Sequence, residues 1–217
     1  MNRISPDLIW QAMTETVYMV SVSLFIGTLL GLPLALFLVL TRPNGIKENK
    51  IVYFILNSII NIIRSLPFII LLVAIVPFTR LIVGKTYGTE AAIVPLIIYI
   101  APFIARLVET SLLEVNPGII ELAKSFGAKP LQIVRHFLIP EALASIILTL
   151  TTATIGLIGA TAMAGTVGGG GIGNLAISHG YQRFNTFVII LTVVILIIIV
   201  QLIQTLGSYL AKKIRHQ

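Results

Sequence analysis

The chain has 217 residues, 57% of them hydrophobic and 11% charged, with a mean hydropathy of +1.02. Its uncharged runs reach or exceed the roughly 20 residues that a helix needs to cross a bilayer, which excludes a soluble globular domain. The net charge of +7 comes from basic residues scattered between those runs, which excludes a nucleic-acid surface, and the absence of cysteine excludes disulfides, thiolate metal sites and cysteine nucleophiles.

The first predicted span covers residues 17–40. Asp7 and Glu15 precede it, and the apolar run outlasts the roughly 7–15 residues of a secretory signal core, so it reads as a retained helix. The second covers 52–78 and contains Arg64, Pro67 and Pro77. It is too long and too interrupted for one straight helix, and a kink or a surface-lying end is expected. The third covers 91–110, with Pro95 and Pro102 inside it. Charge is then absent from 142 to 182, but the glycine run there cannot continue a helix, so the fourth span is placed at 141–164. The fifth covers 185–210. The predicted fold class is an all-α integral membrane protein, a single domain over 1–217 with five transmembrane helices.

Five spans put the two ends on opposite sides. One set of connecting segments holds ten basic residues: Arg42, Lys47 and Lys50, then Arg106, Lys124, Lys129 and Arg135, then Lys212, Lys213 and Arg215. The other set holds four, Arg3, Arg80, Lys85 and Arg183. By the positive-inside rule the amino terminus lies outside and the carboxyl terminus in the cytoplasm.

The cytoplasmic segment 116–140 has its own grammar. Asn116-Pro117 is a helix start, an N-cap followed by a proline at the first helical position. Ile119, Leu122, Ala123 and Phe126 form an apolar stripe, with Glu121, Lys124 and Ser125 facing elsewhere, and Gly127 stands where a left-handed cap ends the helix. A second start at Lys129-Pro130 opens another short helix, with Leu131, Val134, Phe137 and Leu138 opposite Gln132, Arg135 and His136, and Pro140 is expected to open the fourth span. The first helix, about 15 Å long, cannot cross a membrane but can fill a groove. Physical chemistry alone leaves two readings: a helix pair on lipid headgroups, or a docking site for a cytoplasmic partner.

Two further features need a reading. The glycine cluster VGGGGIG at 167–173 lacks the lysine and preceding strand of a phosphate loop. It is expected to let the chain re-enter or turn sharply among packed helices. Arg64 is a charge inside an apolar run: it either faces a translocation path or satisfies helix carbonyls freed by the break before Pro67. Arg106 and Glu109 read as anchors at the inner membrane interface. The histidines, His136, His179 and His216, fall in separate segments, and no nucleophile with a base at working spacing lies in a span.

In the stretch ELAKSFGAKPLQIVRHFLIP, Glu121, Ala123, Gly127 and Pro140 stand at the positions of the EAA loop of ATP-binding cassette (ABC) import permeases. The chain departs from that pattern at Leu122, Phe137 and Ile139, all apolar. Over nearly its full length it resembles permease subunits of methionine importers, through NIIRSLPFIILL (61–72), VPFTRLIVG (76–84), AAIVPL (91–96), APFIARLVE (101–109), PEAL (140–143) and AMAGTVGGGGIG (162–173). The resemblance implies an ABC type I importer permease that pairs with a second copy of itself. Two cytoplasmic ATPase subunits carrying ATP-Mg would dock on the two loops, and an extracytoplasmic methionine-binding protein would deliver the cargo. Glu121, Ala123, Gly127 and Pro140 would couple to the ATPase, with Gly127 allowing close backbone approach. Glu121, near a helix start, would be favoured by the dipole or pair with a partner cation.

By the same resemblance Met163, Gly168, Gly169, Gly170 and Gly171 would line the path near its gate, although ordinary small-residue packing explains 160–164 nearly as well. No G-x-x-x-x-G-K-[ST] motif occurs, so this chain binds no ATP-Mg or other cofactor and is no enzyme by itself. The implied setting is a bacterial cell membrane. The alternatives are an ABC permease for another small amino acid, a polytopic membrane enzyme or a passive channel.

Overall fold

The computed structural model describes residues 5–215, so Arg3 and His216 lie outside the described residues. Those residues form ten α-helices and two π-helical turns: α1 (Pro6–Thr41), α2 (Lys50–Ser65), α3 (Phe68–Ala74), α4 (Val76–Val83), α5 (Thr89–Leu113), α6 (Pro117–Ser125), α7 (Pro130–Ile133), α8 (Ile139–Gly165), α9 (Gly171–Leu175) and α10 (Thr186–Arg215). Four stretches are long and apolar enough to cross a membrane: α1, α5, the run Pro130–Gly165 and α10. A fifth crossing exists only as a broken pair, α2 and α3, bent by 102°.

Helix α5 is the centre of the bundle, with Leu96, Ile100 and Ile104 fully buried. α1 packs along it through small residues: a Cβ added to Gly31 would lie 2.8 Å from the Ala101 carbonyl oxygen and 2.9 Å from Ile104 Cγ2. Such close approach is how apolar helices gain contact where lipid offers no hydrophobic drive. α8 covers another side of α5, and α10 packs on α8, where Gly207 faces Thr151.

Several boundaries differ from the sequence reading, each for a physical reason. α1 starts at Pro6 rather than at residue 17. Asp7 sits in its first turn, where the helix dipole favours a carboxylate, and Glu15 has a partner elsewhere in the fold. The second span is not continuous to residue 78: it ends at Ser65, and the chain turns at Pro67 into α3 and α4.

The larger correction concerns 130–165. The expected second short helix and the fourth span are one uninterrupted helical run, Pro130–Gly165, and Pro140 does not break it. A proline inside an α-helix clashes with the carbonyl four residues back. Here a π-helical turn, Val134–Leu138, widens the helix just before the proline, and Ile139 N–H donates to the Val134 carbonyl, five residues back.

Candidate functional site

The loop between α5 and α8 forms from its local residues. Asn116 Oδ1 accepts from Gly118 N–H at 2.9 Å and Pro117 takes the first helical position, which starts α6. Gly127 ends it with φ 72°, Gly127 N–H donating to Lys124 O at 2.9 Å and Ala128 N–H to Ala123 O at 3.1 Å. That pair of bonds is the closure a left-handed cap residue provides. The chain restarts at Lys129, whose N–H donates to Gln132 Oε1 at 2.8 Å.

The buried side of this loop is narrower than the sequence stripe. Ala123 is fully buried, and Ile119 and Ile120 pack on the core with Val134 and Leu138. Leu122 and Phe126 point away from it, 54% and 78% exposed, and Leu131 beyond the turn is 77% exposed. Three large apolar side chains therefore flank Gly127 and stay largely exposed among the described residues. Periodicity places Leu122, Phe126 and Leu131 on apolar stripes, but it finds a stripe and not which part of it the core is wide enough to cover.

Glu121 is exposed and lies past the first turn of α6, so the dipole at the helix start contributes little to it. Among the described residues beyond its chain neighbours, no atom lies within 4 Å of where a Cβ on Gly127 would be, so the glycine answers to backbone conformation and not to crowding. Pro140 is exposed on the continuous helix, thirteen residues beyond Gly127, and does not share the turn with it.

At the other end of the bundle the glycine cluster makes a tight hairpin between α8 and α9. Gly171, at φ 75°, presses on α1: a Cβ there would lie 2.6 Å from Thr16 Oγ1 and 2.8 Å from Met19 Cε. Two side chains of α1 receive the hairpin, Glu15 Oε2 accepting from Gly171 N–H at 2.7 Å and Thr16 Oγ1 accepting from Ile172 N–H at 2.8 Å. Gln11 Nε2 donates to the other Glu15 oxygen at 2.8 Å. Gly88 N–H donates to the Gly168 carbonyl at 2.9 Å, tying the segment before α5 to the same hairpin. The sequence reading anticipated a sharp turn here and missed Glu15 and Thr16, whose partners lie 156 residues away. Met163, on the last turns of α8, is 51% exposed, and Gly169 is buried against Ala164.

Arg64 is exposed and forms no hydrogen bond or ion pair among the described residues, which removes the carbonyl-satisfying role; the break before Pro67 is closed by Leu66 N–H on the Ile63 carbonyl. The polar grip on α2 comes from Arg106 instead. Its guanidinium pairs with Glu109 at 2.6 Å and donates to Asn57 Oδ1 at 2.5 Å and Asn61 Oδ1 at 2.9 Å. Glu109 is 3% exposed and Arg106 is part-buried, so the two tie α5 to α2 rather than anchoring the helix at the membrane interface.

A family model described as binding-protein-dependent transport system inner membrane component matches residues 27–216. The chain is 46% identical over 214 residues to the probable D-methionine transport system permease protein MetI of Vibrio cholerae, covering 99% of this chain and 95% of that protein. It is 43% identical to the methionine import system permease protein MetP of Bacillus subtilis, covering 92% and 90%. Among solved structures, one of the MetNI methionine ABC transporter in inward-facing conformations superposes with a TM-score of 0.93 at 44% identity, covering 97% of this chain and 99% of that chain.

Proposed function

The chain belongs to the family of binding-protein-dependent transport system inner membrane components, and from that premise we propose that it is the membrane-spanning permease subunit of an ATP-driven methionine importer. One observation carries the substrate: the likeness to methionine permeases extends over nearly the whole chain in both sequence and backbone. It is a multi-pass membrane transport subunit, and ATP hydrolysis belongs to a partner ATPase.

In this reading two copies of the chain enclose the path, and each presents its α6–Gly127–α7 tip to one ATPase subunit that carries ATP-Mg. The exposed side chains of Leu122, Phe126 and Leu131 support that assignment, because unpartnered apolar residues on a polar loop are what a buried interface requires. Glu121, Ala123, Gly127 and Pro140 serve the coupling unequally. Ala123 seats α6 on the bundle and Gly127 shapes the tip, while Glu121 meets the ATPase directly. Pro140 fixes the π turn through which a push on the tip reaches α8.

Met163 and the hairpin of Gly168, Gly169, Gly170 and Gly171 form the outer gate, where an extracytoplasmic methionine-binding protein docks. Arg64, exposed on α2, faces the path or the second copy. The amino terminus lies outside and the carboxyl terminus in the cytoplasm of a bacterial cell. Proteoliposomes holding the permease, its ATPase and its binding protein are expected to accumulate labelled methionine only with ATP, in preference to other amino acids. Accumulation without ATP, or no preference for methionine, would refute the reading.

A further inference from the structure

A cavity of about 980 Å³ lies where α5 ends and α8 begins, beside the last turns of α10. Glu114, Glu141 and Ser145 line one part of it, and Ser208, Lys212 and Arg215 of α10 line another. Charges of both signs thus share the cavity on different helices. Among the described residues no ion pair joins either carboxylate to Lys212 or Arg215. Glu114 is steadied instead by a chain of hydroxyls: Ser145 Oγ donates to Glu114 Oε2 at 3.1 Å and lies 3.0 Å from Ser111 Oγ, which in turn lies 2.8 Å from Thr149 Oγ1.

Two polar helix faces lead into this cavity. On α8, Glu141, Ser145, Leu148, Thr152, Gly159 and Met163 recur every three, four or seven residues and so share one face, with Thr152, Gly159 and Met163 all exposed. Thr149 meets α5 on one flank of that face and Thr151 meets Gly207 of α10 on the other, so the face is the floor of a groove between α5 and α10. It runs about 33 Å from the cavity to Met163, at 1.5 Å per residue. On α10, Gln201, Gln204, Ser208, Lys212 and Arg215 share an exposed face in the same way. Amides and hydroxyls at these depths are costly against hydrocarbon, so both faces are turned to water or protein.

We propose that this cavity is the inner mouth of the translocation path and a transient site for a zwitterionic amino acid, with Glu114 and Glu141 taking its ammonium and Lys212 and Arg215 its carboxylate. This rests on the permease reading above. A simple anion or cation would meet its own sign on one wall, whereas a zwitterion satisfies both. The open, wet setting screens each contact, which keeps binding weak and suits a site from which cargo must leave.

The test uses the permease–ATPase complex without the binding protein, carrying Ser208→Cys; the chain has no other cysteine. The rate at which a charged thiol reagent modifies it is followed as L-methionine is added. Methionine is expected to slow modification, and its decarboxylated and N-acetylated analogues, each lacking one charge, are not. Adding Lys212→Gln and Arg215→Gln should raise the protecting concentration about tenfold, the usual consequence of losing a charge-assisted contact. Lys213→Gln, one residue outside the cavity lining, should leave it unchanged.

Equal protection by all three compounds, or none by methionine, overturns the proposal. Protection that tracks added phosphatidylethanolamine instead of amino acid overturns it in favour of a lipid headgroup. Uptake by the same complex, reconstituted with binding protein, separates the two failures: absence of ATP-driven uptake of any amino acid refutes the permease reading, whereas normal uptake without protection refutes only this site.

Discussion

Gly127 and Gly171 share a positive φ, 72° and 75°, at opposite ends of the molecule and in opposite surroundings. Among the described residues beyond its chain neighbours, nothing lies within 4 Å of a Cβ placed on Gly127, whereas one on Gly171 would collide with Thr16 and Met19. The same contrast extends to their neighbours. The loop around Gly127 leaves Leu122, Phe126 and Leu131 uncovered, while the hairpin around Gly171 is hydrogen-bonded to Glu15, Thr16 and Gly88. One region is closed by contacts within the chain; the other leaves three large apolar side chains exposed, the surface that the proposed function gives to the ATPase.

That difference separates stability from coupling, and substitutions can pull the two apart. Gly171→Val should have the largest effect on folding, about 3 kcal/mol or more, from backbone strain added to overpacking, read as a lowered Tm of the purified complex. Glu15→Ala, which leaves Gly171 N–H without its carboxylate, should cost about 2 kcal/mol in the same assay, with Glu15→Gln recovering much of it. Gly127→Asp should cost only about 1 kcal/mol, since aspartate tolerates this conformation, yet ATPase co-purification should be lost. Normal co-purification and normal uptake in that variant would remove the loop from the coupling scheme. Phe126→Ser should change stability by about 0.5 kcal/mol or less and still weaken ATPase association, because an exposed side chain contributes to a partner's surface and not to the core. A large loss of Tm in Phe126→Ser, or an unchanged Tm in Gly171→Val, would erase the distinction.

The same division explains what could be read from the sequence. Spans follow from local composition, so the crossings at α1, α5, α8 and α10 were legible as uncharged runs, and the caps at Asn116 and Gly127 as local turn chemistry. Features that depend on distant partners were not. Glu15 looked like a charge ahead of a span, and only the fold brings it to Gly171. Arg106 and Glu109 looked like interface anchors until α2 supplied Asn57 and Asn61. Pro140 misled for a different reason: proline marks a helix break only when the helix keeps α geometry, and a π turn removes the clash without ending it. In the loop, the apolar pattern located the helices but could not say that Phe126 and Leu131 stay uncovered, because that depends on how wide the bundle is beneath them.

Site-directed photocrosslinking would test the division most directly. A benzophenone maleimide can be attached at Phe126→Cys or at Val167→Cys in an otherwise cysteine-free permease, and both positions are exposed in the single chain. With the ATPase present, illumination is expected to give a permease–ATPase adduct from position 126 and none from position 167. An adduct from the hairpin and none from the loop would contradict the assignment of the α6–Gly127–α7 tip as the handle through which the ATPase drives this permease.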